Sequence, residues 1–156
     1  MIVLAKMQAV TYAEYLKGAV IGYAQDNVNS GRWPEAGSLE RSREDFETSL
    51  PQGLDTPDNY LFEIRSAVGG TLVGFTWLAI QRSQTGTTGF VYDLEIKPKY
   101  RRQGHASQAL EALESFAFTQ GATSVGLHVF AFNQAAQALY EGSGYKVEGV
   151  NMRKCQ

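Results

Sequence analysis

Apolar positions in the first third of the chain recur at helical spacing. Tyr12, Tyr15, Leu16, Ala19, Val20, Tyr23 and Ala24 fall on one stripe, the pattern of an amphipathic helix. Thr11 and Glu14 have capping-box spacing at its start, and Asn29-Ser30-Gly31 ends it. Ser42 and Asp45 repeat the capping spacing, which predicts a short second helix from there through Phe46 to Leu50, stopped by Pro51. Gly53, Pro57 and Asp58 make residues 52–59 a loop. The period then shortens to two. Tyr60, Phe62 and Ile64 alternate with polar positions, and Leu72–Gln81 and Phe90–Ile96 are two further strand patterns. Gly69-Gly70 and residues 83–86 supply the turns, so this stretch predicts an antiparallel meander.

Helical spacing returns after Pro98, in Ala106, Ala109, Leu110, Leu113, Phe116 and Ala117, with Gly121 as a C-cap. Ser124–Phe130 reads as a short strand, Ala135–Glu141 as a short helix and Tyr145–Met152 as a last strand. A strand–helix–strand order requires a crossover, so at least one strand pair is parallel. The predicted class is α/β of the α+β type: a mixed, mainly antiparallel sheet with helices packed on it. No stretch rich in Pro, Gly or charge divides residues 1–156, which predicts a single domain.

Composition agrees with that size. The 156 residues are 44% hydrophobic and 19% charged, enough to bury a core without disulfides or metals. The net charge of −2 carries no electrostatic footprint for nucleic acid or an anionic membrane. Cys155 is the only cysteine and there are two histidines, so no metal-ligand spacing exists and no metal is expected. No apolar run approaches the roughly 20 residues of a membrane span. The start, Met1 to Lys6, lacks the pattern of a signal peptide. The expectation is a soluble cytoplasmic protein.

The stretch that carries chemistry lies between the third strand pattern and the helix that follows it: Lys97-Pro98-Lys99-Tyr100-Arg101-Arg102-Gln103-Gly104-His105-Ala106-Ser107. Amides at a helix N-terminus are unpaired and, with the helix dipole, attract phosphate. Gly104 and Ala106 are small enough to let a ligand reach the backbone, and Arg101 and Arg102 add positive charge. Neither the P-loop pattern nor the dinucleotide-binding Gly-x-Gly-x-x-Gly is present. The alternative reading of this stretch is a basic turn before an ordinary helix.

Arg101-Arg102-Gln103-Gly104-His105-Ala106 resembles the Gln/Arg-x-x-Gly-x-Gly/Ala signature of the GNAT acetyltransferases. The residues from Asn133 through Ala136, Leu139, Tyr140 and Glu141 to Gly144-Tyr145 resemble that family's second signature. The departure is Ala106, where the family often has Gly. The resemblance implies a GNAT fold with helices on both faces of the sheet and one splayed parallel strand pair. It implies acetyl-CoA as the acyl donor, bound at Arg101 and with the diphosphate on the amides that follow it, those of Arg102, Gln103, Gly104, His105, Ala106 and Ser107. It implies the pantetheine arm beside the backbone of Leu94 and Ile96 and near the Asn133 side chain. Tyr140 matches the residue that often protonates the departing thiolate; its other reading is a tyrosine packed beneath the sheet.

The implied reaction is direct transfer of the acetyl group to a primary amine, either a small molecule or a peptide, without a covalent enzyme intermediate. An alkylammonium must lose a proton before it attacks, so a base is needed. His128, Glu95 and Asp93 are the candidates, with a water relay as the remaining option. Strand alternation puts Asp93 and Glu95 on one face, opposite Leu94 and Ile96, unless a β-bulge shifts the register. It puts His128 with Gly126 and Phe130. Tyr23, Trp33, Tyr60 and Trp77 are candidate walls of an acceptor pocket, and Asn29–Leu39 reads as a lid. The rival function is a silent module that binds CoA without chemistry; transfer of longer acyl groups, or to oxygen, is a further variant. A homodimer, through the last strand and Phe132, is the expected assembly, with no nucleic-acid or membrane partner.

Overall fold

The computed structural model describes residues 1–156. Its sheet has five strands in the order β1 (Ile2–Lys6), β2 (Asn59–Ser66), β3 (Leu72–Ser83), β4 (Gly86–Ile96) and β5 (Val125–Leu127). The first four are antiparallel neighbours, and β4 pairs with β5 in parallel. Helices α1 (Ala9–Asn29) and α2 (Ser38–Ser49) cover one face. Helix α3 (His105–Thr119) covers the other and makes the crossover from β4 to β5; α4 (Gln134–Gly142) follows β5. The mixed sheet and the parallel pair therefore stand as the sequence predicts. No helix is long and apolar enough to cross a membrane.

The two faces have separate cores because alternate residues of each strand point opposite ways. Met7, Tyr15, Ala19, Leu50, Leu61, Phe75 and Trp77 fill the α1–α2 side. Leu78, Ile80, Val91, Leu110, Leu113 and Ala117 fill the α3 side. Along α3, Ala109, Leu110, Leu113 and Ala117 have no exposed surface at all. The helix lies so close to β4 that a methyl on Gly89 would sit 3.2 Å from the Ala117 side chain.

Several local expectations are corrected. β1 has no counterpart in the sequence pattern: Ile2-Val3-Leu4 is a strand because it pairs with β2, setting Leu4 opposite Ile64. α1 begins at Ala9, so Thr11 is a buried residue inside the helix and not its cap. The acceptor at that helix end comes from another element. Glu63 on β2 accepts from the Gln8 amide at 3.5 Å and pairs with Arg65 at 2.8 Å, and the Thr11 hydroxyl bonds the same carboxylate. Ser42 likewise does not cap α2, which starts at Ser38 after Gly37. It is buried in mid-helix, and its hydroxyl donates to the Val20 carbonyl at 2.7 Å, tying α2 to α1.

Two strand predictions overrun. The stretch expected as Ser124–Phe130 is a strand only from Val125 to Leu127. Tyr145–Met152 forms no strand. Tyr145 is anchored, with its hydroxyl donating to Glu114 at 3.0 Å, but Val147, Val150 and Met152 are exposed. A strand needs a partner to persist, and β5 pairs over three residues only.

Candidate active site

The site is built where β4 stops pairing with β5. The parallel ladder runs from Gly89–Val125 to Val91–Leu127 and ends there. Beyond it, β4 continues to Ile96 bonded only to β3. The expected splayed pair is thus present, and its opening exposes the backbone edge of β4 from Tyr92 onward.

A β-bulge sits at this opening. Trp77 of β3 pairs with Asp93, while Leu78 pairs with Val91, so Tyr92 and Asp93 together oppose Trp77. An extra residue in one strand places two consecutive side chains on the same face. Asp93 consequently points to the α1 side, where the Tyr15 hydroxyl donates to its Oδ2 at 2.7 Å. Glu95 lies on the same side, across from Phe75. Leu94 and Ile96 turn their side chains toward α3, as the sequence predicts, which leaves only their backbone to a ligand in the opening.

Asp93 has an unusual proton affinity. Burial pushes its carboxyl up to about 6, with Glu95 and Asp26 adding to the rise. The bond from Tyr15 and the Leu94 amide act against this, because a donor favours the charged carboxylate. A carboxyl near 6 is largely ionised at neutral pH yet basic enough to take a proton, the balance a general base needs. Tyr15, read from the sequence only as part of a helical stripe, belongs to the site; the stripe predicts its burial but not its bond to residue 93.

From Ile96 the chain makes a single 3-10 turn, Pro98–Tyr100, and then enters the loop expected to hold phosphate. The Arg101 guanidinium turns back and donates to the Ile96 carbonyl at 2.8 Å, closing the loop on itself. Arg102 (φ 61°) and Gly104 (φ 79°) both adopt the left-handed conformation, which is strained for the arginine and free for the glycine. No amide from Arg102 to Ser107 has a backbone acceptor. Gln103 and Gly104 are exposed, and His105 and Ala106 half-buried. The Nδ1 atom of His105 is buried without any partner. The run of unpaired amides at the start of α3 is a donor set suited to an anionic diphosphate, so the residues fit the diphosphate of CoA.

On the other side of the opening stands α4. Asn133 caps it, its Oδ1 accepting from the Ala136 amide at 3.1 Å. That oxygen is committed to the helix, so any contact with a pantetheine arm falls to the Nδ2 group. Tyr140 is half-buried against the α3-side core, its ring 5.9 Å from that of Tyr145. Burial raises its hydroxyl pKa, and the charge of Asp93 raises it further. Asp93 lies on the α1 side of the sheet and Tyr140 on the α3 side, and the charge of the first acts on the second. His128 lies just past β5, exposed, with its ring edge-on to Phe130 at 5.0 Å. No hydrogen bond joins it to Asp93, Tyr140 or the loop.

Among the expected pocket walls, Tyr60 packs against Phe62 and Phe116 on the α3 side, away from the bulge. Tyr23, Trp33 and Trp77 belong to the α1 side. The lid segment is tied down: the carbonyl of buried Asn27 accepts from the amides of Arg32 and Trp33 at 3.0 and 3.1 Å.

The mixed sheet with its opened parallel pair, and a loop of unpaired amides at the end of the first strand of that pair, define the architecture. The sequence assigns it to a family. A profile of the Acetyltransferase (GNAT) family matches residues 26–145, and the chain belongs to that family. It is an N-acetyltransferase by that membership and by its relatives. It is 36% identical to YycN of Bacillus subtilis strain 168, an uncharacterized N-acetyltransferase, over 98% of this chain and 97% of that one. It is 32% identical to YdgE of the same organism, also an uncharacterized N-acetyltransferase, over 87% of this chain and 86% of that one. The crystal structure of YycN, a putative acetyltransferase, superposes with a TM-score of 0.94 at 33% identity, covering 100% of this chain and 99% of that one. An aminoglycoside N-acetyltransferase solved in complex with CoA shares the fold alone, at 14% identity and a TM-score of 0.61 over 100% of this chain and 95% of that one.

Proposed function

We propose that the protein moves an acetyl group from acetyl-CoA to a primary amine, with Asp93 as general base and Tyr140 as general acid. The observation that supports this reading is the β-bulge beside the point where β4 and β5 part, which carries a carboxyl raised to about 6 whose charge also raises the half-buried Tyr140 hydroxyl.

The loop amides from Arg102 to Ser107 and the Arg102 side chain hold the diphosphate. The backbone of Leu94 and Ile96 aligns the arm so that the thioester carbonyl lies in the opening. Asp93 takes a proton from the acceptor's ammonium, and the freed nitrogen bonds to the carbonyl carbon. Backbone donors in the gap stabilise the charge gathered on its oxygen. The bonded nitrogen loses its second proton to water, and as the carbon–sulfur bond breaks Tyr140 gives its proton to the sulfur and is reprotonated from water. The products are the N-acetyl amide, CoA thiol and one proton, which Asp93 releases to water.

Asp93 is preferred to Glu95 and His128 on environment. Glu95 lacks the hydroxyl contact, and His128 is exposed beyond the strand end. The test is thiol release from acetyl-CoA across a panel of primary amines, with acetyl-CoA binding measured separately by calorimetry. Amine-dependent release that Asp93→Asn reduces by about 100-fold supports the assignment. Binding of acetyl-CoA with no release for any amine would falsify it and leave a CoA-binding module.

A further inference from the structure

On the α1 side of the sheet, aromatic rings stand in a row. Trp33 meets Tyr23 edge-on at 5.5 Å, Tyr23 meets Phe46 at 6.0 Å, and Phe46 meets Trp77 at 5.7 Å. Tyr92 stacks on Trp77 at 4.5 Å and 22°. Trp33, Tyr23 and Phe46 are half-buried, Trp77 is 4% exposed and Tyr92, at the end of the row, 46%. Nothing in this chain covers the outward face of Tyr92; Phe90 meets it edge-on at 4.8 Å from the side. A tyrosine that offers an apolar ring face to water is a residue type enriched at binding surfaces.

The bulge explains why that ring is where it is. In a regular strand Tyr92 and Asp93 would project from opposite faces. Because both oppose Trp77, the open ring and the carboxylate stand side by side. The Tyr15 hydroxyl donates to Oδ2 of Asp93, and the Leu94 amide also bonds the carboxylate, which fixes the direction in which it meets an incoming ammonium. Glu95 and Asp26 add further negative charge near Asp93 on this side. Lys97 pairs with Glu14 at 3.5 Å and lies over the Phe75 ring. At the far end of the row, Arg41 covers Trp33. A ligand with one ammonium and a flat apolar body finds a carboxylate beside an open ring.

We propose that Tyr92, backed by Trp77, is the acceptor-specificity surface, and that the acceptor is a primary amine carrying an aromatic group one or two carbons from its nitrogen. This rests on the acetyl-transfer reading for its chemistry but not for its binding. The ammonium meets Asp93 while the ring lies on Tyr92, which adds buried apolar area and an offset or edge contact.

The experiment compares 2-phenylethylamine, butylamine and spermidine. In a Trp33→Phe protein Trp77 is the remaining tryptophan, since the chain has two. With CoA present, 2-phenylethylamine should perturb its fluorescence saturably and butylamine should not. In turnover, kcat/KM for 2-phenylethylamine should exceed that for butylamine about tenfold, the scale of one aromatic contact with its buried area. Tyr92→Ala should bring that ratio near one, and Tyr92→Phe should keep it. A ratio near one in the native protein, an unchanged ratio in Tyr92→Ala, or a preference for spermidine overturns the proposal. A saturable fluorescence change without turnover of any amine leaves the surface standing and overturns the acetyl-transfer reading instead. Neither signal overturns both.

Discussion

The Tyr15 hydroxyl donates to Oδ2 of Asp93 at 2.7 Å, joining the middle of the first helix to the bulge in β4 across 78 positions of chain. This bond holds the carboxylate's orientation and also lowers its proton affinity, against the burial that raises it. With Asp93 as the proposed base, kcat/KM should rise with pH through about 6 and level off above it. Tyr15→Phe removes a donor to the charged form, so the acid limb should move to higher pH. Asp93→Asn should abolish the limb and lower the plateau. An acid limb unmoved in Tyr15→Phe would separate that limb from Asp93.

The raised proton affinity of Asp93 also has a cost in stability, with a sign opposite to that of a neighbouring carboxylate. Asp93 is raised from 3.8 to about 6, so the folded state binds the extra proton. Its ionisation costs nothing below the unfolded value, and the cost grows between roughly pH 4 and 6 and is complete above. Asp93→Asn should therefore stabilise the fold at pH 8 by about 1–3 kcal/mol, the free-energy equivalent of that rise in proton affinity, and by little at pH 4. Glu63 is lowered: burial opposes ionisation, but Thr11, Arg65 and the Gln8 amide outweigh it. Its contribution is present above the unfolded carboxyl pKa of 4.5 and is lost as pH falls through the lower folded value. Glu63→Gln should destabilise at pH 7, with the difference from the native protein shrinking toward pH 3. Urea melts of the two variants across pH check both signs.

Signals that lie close together in the chain are legible in the sequence. The loop from Arg101 to Ser107 and the helix stripe behind it span a short segment, and Gly104 adopts the backbone conformation the motif needs. Alternation correctly puts Asp93 and Glu95 on one face and Leu94 and Ile96 on the other, because a period of two holds on each side of a bulge. What is not legible depends on distant partners. The cap of α1 comes from Glu63, 55 positions beyond Gln8, so the local Thr11–Glu14 spacing misleads. β1 is a strand only by pairing with β2. Tyr145–Met152 has an acceptable strand pattern and no edge long enough to pair with. Choosing Asp93 over Glu95 depends on desolvation, which side-chain alternation does not report.

Gly74 should tolerate no side chain. It pairs with Ile96 at the last rung of β3 and β4, and a methyl there would overlap the Glu95 carbonyl oxygen, with Ile96 atoms 3.1 Å away. Backbone cannot yield as a flexible side chain does. Gly74→Ala should cost about 2–3 kcal/mol, within the range for overpacking, and should displace the strand end that leads into the phosphate loop. Thermal unfolding and acetyl-CoA affinity should worsen together. A folded, stable Gly74→Ala protein with native affinity would contradict the close approach.

Gly104 is constrained by conformation and not by space. Its added methyl would meet only Gln108, at 3.8 Å, so the cost of Gly104→Ala is the left-handed φ of 79°, about 1–2 kcal/mol. The fold should survive, while the loop relaxes away from the geometry that aims its amides. Acetyl-CoA affinity should fall by about tenfold or more, one displaced charge-assisted hydrogen bond being about 1.5–3 kcal/mol. Calorimetric titration with acetyl-CoA and with CoA checks this. Equal losses for the two place the effect at the shared diphosphate; a loss for acetyl-CoA alone would move it to the thioester.

Tyr140 separates a proton donor from a packing residue. Its ring contacts Tyr145 and the α3-side core, and Phe preserves all of that. If Tyr140 only packs, Tyr140→Phe should leave kcat unchanged. If its hydroxyl protonates the departing sulfur, kcat should fall by about 100-fold, the lower end for general acid catalysis, with CoA affinity unaltered. The raised pKa of the hydroxyl keeps it protonated throughout the working range, so the native protein should show no basic limb from Tyr140 below pH 10. Its elevation also depends in part on Asp93. Asp93→Asn removes that charge, and any high-pH loss of activity belonging to Tyr140 should then begin at lower pH. Measuring kcat against pH in both single variants, with calorimetric titration of CoA beside it, tests donor and coupling at once. A native kcat in Tyr140→Phe sinks the donor role whatever the pH profile.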